Sequence, residues 1–250
     1  MKYTFIGTGS CVPNENRLSS GGILEIAGKL ILIDCGTGIL HNIPKAGYDY
    51  CDIDMICITH LHLDHINDFA ALLFAFRNDP DCKRKEDLFV VGPDGFEDFY
   101  NKMKDAYGKS IRIENFDIKI REVKKSEFEF AGIAISTEKT FHTDESIGYR
   151  FEFNEKTFCA SGDTGYHENV IKLCKNADLA VLECSLPEEK CIDIHLNPKT
   201  AGQIAESAGV KKLLLTHLYP VMENYPIVKK CKKYFSGDIQ VAENFRKYVF

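Results

Sequence analysis

The sequence lacks any long apolar run: the longest, Phe69 to Phe76, falls far short of the ~20 residues a bilayer-spanning helix needs. Met1-Lys2-Tyr3 opens no secretory leader pattern, so a cytoplasmic chain without a membrane segment is expected. No Cys-x-x-Cys pair occurs among the ten cysteines, which excludes a zinc knuckle or a dithiol redox motif and favours scattered, reduced thiols. There is no surplus of positive charge. With a formal net charge of −6, the chain has no global field for drawing in nucleic acid, so a polyanionic substrate would need a local positive site. No Pro/Gly/Ser-rich linker divides the 250 residues, and 44% hydrophobic with 27% charged content excludes a disordered chain. Residues 1–250 are therefore expected to form one domain.

Apolar stretches predict strands near Tyr3–Ile6, Gly22–Ile26, Lys29–Ile33, Met55–Ile58, Leu88–Val91, Ile118–Arg121, Ile133–Thr137, Tyr149–Phe153, Thr157–Ala160, Leu179–Glu183 and Lys212–Thr216. Helical patterns cover Asn67–Phe76, Gly95–Ala106, His167–Cys174 and Pro198–Ser207. Two echoes divide the chain into similar halves. Leu24–Lys29 leading to Asp34-Cys35-Gly36-Thr37-Gly38 parallels Phe151–Lys156 leading to Ser161-Gly162-Asp163-Thr164-Gly165, and Thr59-His60-Leu61 parallels Thr216-His217-Leu218. Two facing sheets with helices outside would bury this many strands, an α/β sandwich of four layers.

The segment Thr59-His60-Leu61-His62-Leu63-Asp64-His65 sits between an apolar strand and a helical pattern. Imidazole and carboxylate are standard zinc ligands, and such groups at a core edge are costly without a cation or hydrogen bonds. A closed four-ligand site would leave no room for chemistry, so further ligands are sought at other strand ends. His142, Asp163 and His217 are the candidates, and seven ligands point to two divalent metals. Singly, each also has a plain structural reading as a loop histidine, a turn or cap aspartate and a strand-end histidine.

These residues, with Phe5–Pro13, Arg17, Ser19-Ser20, Gly148-Tyr149-Arg150, Leu182-Glu183-Cys184 and Thr216-His217, make the chain resemble the metallo-β-lactamase superfamily. Within it the chain is similar to ribonuclease Z, the transfer-RNA 3′-trailer endonuclease. The resemblance implies the αββα sandwich. It implies one metal on His60, His62 and His142, a second on Asp64, His65 and His217, and Asp163 bridging them. Zinc is implied first, with manganese or iron as alternatives. Glu183 and His195 match a proton-transfer pair of the family, and Asp64 would orient the nucleophile as well as ligate. A homodimer is also implied.

Three departures stand out. Leu182 occupies the place of the family's first histidine in its His-Glu-Ala-Thr segment, and His195 is followed by Leu196-Asn197 instead of Ser-Thr. The flexible arm that grips the transfer-RNA elbow is missing, since Arg150 runs through a short hairpin straight to Asp163. The Pro13–Leu18 loop keeps proline and Arg17 but replaces a phosphate-binding lysine by Glu15. The expected function is a metal-dependent phosphodiesterase acting on precursor transfer RNA or on a smaller diester. The alternative is a hydrolase of a small acyl substrate, a lactone or thioester. Lys229–Lys233 is read as a solvated helix face, and His167 as a neighbour of the ligands.

Overall fold

The computed structural model describes residues 1–190 and 192–250. Its strands are β1 (Lys2–Gly7), β2 (Gly21–Ile26), β3 (Lys29–Ile33), β4 (Met55–Cys57), β5 (Leu88–Pro93), β6 (Ile118–Val123), β7 (Ser126–Phe130), β8 (Ile133–Lys139), β9 (Ile147–Phe153), β10 (Lys156–Ala160), β11 (Leu179–Glu183), β12 (Lys212–Thr216), β13 (Asp238–Val241) and β14 (Lys247–Val249). They form two sheets of seven, ordered β14-β1-β2-β3-β4-β5-β6 and β13-β12-β11-β10-β9-β8-β7. The helices are α1 (Ile39–Asn42), α2 (Leu63–Ile66), α3 (Asp68–Asn78), α4 (Phe96–Tyr107), α5 (Glu168–Leu173), α6 (Pro198–Ala208) and α7 (Ile227–Cys231).

Alternation along each strand decides the layers. Tyr3, Phe5, Ile31 and Ile33 meet Tyr149, Phe151, Phe158 and Leu214 between the sheets. Their neighbours Ile6 and Leu32 turn outward beneath Phe69, Leu72, Leu73 and Phe96, while Leu213 and Leu215 turn outward beneath Ala201, Ile204 and Ala205. The result is the α-β-β-α layering. No helix among the described residues is long and apolar enough to cross a membrane.

The hairpin echo is a structural one: β2 pairs antiparallel with β3, β9 with β10, and each hairpin is followed by a parallel neighbour, β4 and β11. The Thr-His-Leu echo is displaced by one strand. His60 follows β4, the strand next to β3, whereas His217 follows β12, one strand beyond the equivalent β11. β9 and β10 are joined through Asn154 and Glu155, both left-handed at φ 48° and 61°, so a tight turn stands where the arm would be.

Two expectations need correction. Cys51 and Cys82 are joined by a disulfide, their Cα atoms 5.8 Å apart, so the cysteines are not all reduced. The contact could not be foreseen because 31 residues separate the pair and only the packing of α3 brings them together. Cys35, Cys57, Cys159, Cys174, Cys184 and Cys231 are buried and Cys11 is exposed, while Cys191 lies outside the described residues. His167, for its part, caps α5, its Nδ1 accepting from the Asn169 N–H at 3.1 Å. It is a capping residue, with no ligand hydrogen-bonded to it among the described contacts.

Candidate metal centre

The chemistry-bearing side chains lie in loops that leave the C-terminal ends of strands: His60 beyond β4, His142 beyond β8, Asp163 beyond β10, Glu183 at the end of β11 and His217 beyond β12. Parallel pairing among β3–β5 and β10–β13 puts these ends on one side of the molecule. His62, Asp64 and His65 follow on the loop into α2.

Backbone bonds fix that loop. Cys35 N–H donates to the His65 carbonyl at 2.7 Å and Ser20 N–H to the Asp64 carbonyl at 3.1 Å, which press it onto the 34–38 turn. Gly36 makes this approach possible, since a Cβ there would lie 2.0 Å from the Asp64 carbonyl oxygen. Gly162, at φ 60°, likewise lets the Asp163 turn approach Thr59, whose Cβ would be 2.6 Å from an added methyl. His217 has φ 57°, a left-handed conformation uncommon outside glycine and held here by the Leu218 N–H bond to the Thr8 carbonyl at 3.0 Å.

The seven expected ligands converge. His60, His62, His142 and Asp163 can each direct one donor atom into one group, all within 4.8 Å of one another, and Asp64, His65 and His217 form a second group on the same criterion. Asp163 faces both: its Oδ2 lies 3.7 Å from His142 Nε2 and 3.4 Å from His217 Nε2, and its Oδ1 lies 3.3 Å from His65 Nε2. His62 Nδ1 and His142 Nε2 are 3.1 Å apart, and His217 Nε2 is 3.2 Å from Asp64 Oδ2. His60 Nε2, His65 Nε2 and Asp163 Oδ1 are buried without hydrogen-bond partners, which is costly for polar atoms unless a cation satisfies them. The donor set of imidazoles and carboxylates fits divalent metal ions.

Electrostatics agree with the donor chemistry. Burial, reinforced by neighbouring imidazoles, drives the His60 pKa well below the ordinary histidine value, keeping the ring a neutral donor. Burial also lowers His142. Burial would raise the Asp163 carboxyl, but the charges of His217 and His65 hold it well below the usual carboxylate range. Asp64 is lowered in the same manner, against its burial, by the His217 hydrogen bond and the charge of His65.

Glu183 and His195 meet beside this cluster. Glu183 Oε1 is 2.7 Å from His195 Nδ1 and accepts the Thr164 N–H at 2.8 Å. Burial lowers the His195 pKa, but the hydrogen bond and charge of Glu183 outweigh it and the net shift is upward. One donor atom each from Asp163, His195 and His217 also falls within 4.8 Å, so His195 faces the metal cluster.

Three supporting residues escaped the sequence reading. Asp34 accepts from Thr59 N–H at 2.8 Å and from Thr59 Oγ1 at 3.0 Å, and its Oδ2 lies 2.8 Å from His65 Nδ1. Thr59 thus ties the first strand end to the carboxylate that orients His65. Ser185, fully buried, donates its hydroxyl to Glu183 and sits 2.9 Å from His217 Nδ1 and 3.4 Å from His195 Nδ1. Asp34 was visible only as part of a turn, and Ser185 follows Glu183 without any ligand spacing. Arg17, in contrast, is engaged within the fold: its Nε donates to Glu223 at 2.6 Å and its Nη1 to the Thr8 hydroxyl and the Ala242 carbonyl at 2.8 and 2.9 Å.

With this geometry in place, comparison with known proteins is decisive. The family model described as anti-Pycsar protein Apyc1 matches residues 1–240. The chain belongs to that family. It is also 30% identical to ribonuclease Z of Methanothermobacter thermautotrophicus, across 87% of this chain and 86% of the relative. The metallo-β-lactamase-fold protein YhfI from Bacillus subtilis superposes with a TM-score of 0.83 at 26% identity, covering 99% of this chain and 98% of its own. Human short-form tRNase Z superposes with a TM-score of 0.81 over 100% of this chain and 99% of its own, at an identity of 23% that speaks for the fold alone. The metallo-β-lactamase fold and a hydrolytic, ribonuclease Z-like character are thereby shown, as is a His/Asp cluster able to hold metal ions.

Proposed function

We propose that this chain is a cytoplasmic, metal-dependent phosphodiesterase that works on two divalent ions, zinc before manganese or iron, and cleaves a small phosphodiester. The observation that carries the reading is the meeting of the two ligand groups at Asp163 with the Glu183–His195 pair beside them. His60, His62 and His142 would hold one ion and Asp64, His65 and His217 the other, with Asp163 placed to serve both groups. Such a pair of ions supplies Lewis acidity and an activated water near neutral pH, and clamps a phosphoryl oxygen.

Asp64 accepts a hydrogen bond from the attacking water and orients it. Glu183 grips His195 Nδ1 and favours the protonated ring, so the proton for the departing alkoxide is delivered from Nε2. A phosphodiester needs that proton most, because its alkoxide is a poor leaving group, and this favours it over an acyl substrate. The tight β9–β10 turn leaves no arm for a transfer-RNA elbow and Glu223 takes the Arg17 Nε–H, which together support a smaller substrate. The homodimer implied by the resemblance is part of this reading, to be checked by light scattering.

The test is turnover of a panel by zinc- or manganese-loaded protein: a precursor transfer RNA with a 3′ trailer, an aryl diester, a dinucleotide and a 3′,5′-cyclic mononucleotide, with a thioester and a lactone alongside. Asp64→Asn is the blank. Cleavage of the small diesters is expected. Cleavage at the trailer junction would return the protein to transfer-RNA processing, and turnover of the thioester or lactone alone would replace the reading by the acyl one.

A further inference from the structure

A strand end in each sheet carries a buried carboxylate that reaches two imidazoles, one directly and one through a hydroxyl. In the first sheet Asp34 follows β3: its Oδ2 lies 2.8 Å from His65 Nδ1 and accepts the Thr59 hydroxyl at 3.0 Å, and that hydroxyl is 3.1 Å from His60 Nδ1. In the second sheet Glu183 ends β11: its Oε1 lies 2.7 Å from His195 Nδ1, its Oε2 accepts the Ser185 hydroxyl, and that hydroxyl is 2.9 Å from His217 Nδ1. Both Glu183 and Ser185 are buried, so bulk water does not compete for either contact. The backbone puts Ser185 where three segments meet. Its N–H donates to the Leu196 carbonyl at 3.1 Å, its carbonyl accepts the Tyr219 N–H at 3.3 Å, and the neighbouring Cys184 N–H donates to the Thr216 carbonyl at 2.8 Å. Leu196 follows His195 directly and Thr216 precedes His217, so the same bonds that seat Ser185 also seat the two imidazoles.

We propose that Ser185 is a positioning residue that carries the pull of the Glu183 carboxylate to His217 and fixes the tautomer in which His217 ligates. A serine hydroxyl has one proton to give. Glu183 receives it, so toward His217 Nδ1 the Ser185 oxygen can only accept, and the ring proton belongs on Nδ1. That leaves Nε2 as the donor nitrogen, and it is this atom that faces the cluster, 3.2 Å from Asp64 Oδ2 and 3.4 Å from Asp163 Oδ2. An acceptor on the far ring nitrogen orients a ligating imidazole and raises its basicity. One carboxylate thereby aligns both the proton donor His195 and a ligand of the Asp64, His65 and His217 group. The inference rests on the two-ion reading above and adds what couples its proton donor to its metal group.

Zinc affinity, read by competition with a chromophoric chelator, tests this role without reference to turnover. Ser185→Ala should weaken one of the two zinc ions roughly 10- to 100-fold and leave the other as in the unaltered protein. Ser185→Thr, which returns a hydroxyl of the kind Thr59 offers His60, should restore the affinity. Glu183→Gln should weaken the same step of the titration, and joining it to Ser185→Ala should add little, since both remove one chain of contacts. Ser185→Cys, close in size but a weak acceptor, should show the same selective loss if the alanine variant folds poorly. Unchanged affinity in the alanine and cysteine variants, equal loss of both ions, a threonine variant as weak as the alanine one, or fully additive losses in the double variant would overturn the proposal. Failure of the two-ion phosphodiesterase reading shows separately, as unaltered protein that binds fewer than two zinc ions or turns over no diester.

Discussion

Asp34 Oδ2 lies 2.8 Å from His65 Nδ1, while the opposite ring nitrogen, His65 Nε2, faces Asp163 Oδ1 at 3.3 Å. A carboxylate on one imidazole nitrogen fixes which nitrogen donates to the cluster and raises its basicity. Asp34 has φ 58°, a conformation asparagine tolerates, so Asp34→Asn removes the charge without disturbing the turn. Zinc affinity, measured by competition with a chromophoric chelator, should fall roughly 10- to 100-fold. An unchanged affinity would show that Asp34 serves only to anchor Thr59.

The Glu183–His195 contact predicts a dependence on the leaving group. His195→Ala should slow cleavage of an alkyl phosphodiester by roughly 10²–10⁴-fold, the usual worth of a positioned proton donor. A p-nitrophenyl diester, whose leaving group departs without a proton, should lose far less. Equal losses with both substrates would assign His195 to metal binding, a position its distance to Asp163 and His217 also allows.

Away from the site, Asp178 carries a pH-dependent share of the stability. Its Oδ2 accepts the Thr157 N–H at 2.9 Å and its Oδ1 the Lys211 ammonium at 2.9 Å. Burial alone would raise its pKa, but Lys211 and the Thr157 bond outweigh burial and hold it below the ordinary carboxylate value. A depressed folded pKa gives stability that is complete above the unfolded-chain value of about 4 and is lost as pH falls through the folded value. Lys211 is largely exposed and its charge screened, so the buried bond to Thr157 is the larger part. Asp178→Asn should therefore cost about 1 kcal/mol in urea unfolding at pH 7, and the difference should shrink below about pH 4. A difference independent of pH would assign the effect to packing.

How much of this was legible in the chain depended on whether a feature was local. Strands such as β1, β3 and β12 alternate or run apolar within five or six residues, and their period shows before any contact is known. β7, β13 and β14 were missed because they are short or half-exposed edge segments whose pairing partners define them: β7 alternates only between exposed and half-exposed positions, and β14 exists by pairing with β1 at the other end of the chain. The ligand residues were legible because histidine and aspartate crowd into one loop and recur at strand ends. Ser185 was not, since a serine acquires its role only where Glu183, His195 and His217 arrive around one hydroxyl from three separate segments. Arg17 erred in the other direction. Its motif pointed to phosphate, and the fold turns its Nε to Glu223, some two hundred residues away.

The most direct test of the dinuclear account is a zinc titration of chelator-stripped protein, with turnover of an aryl phosphodiester as the readout. The account predicts no turnover in the stripped protein and a rise that levels off at two zinc ions per chain, abolished by Asp163→Ala. Turnover that survives stripping, or that is complete at one ion and indifferent to Asp163, would contradict it.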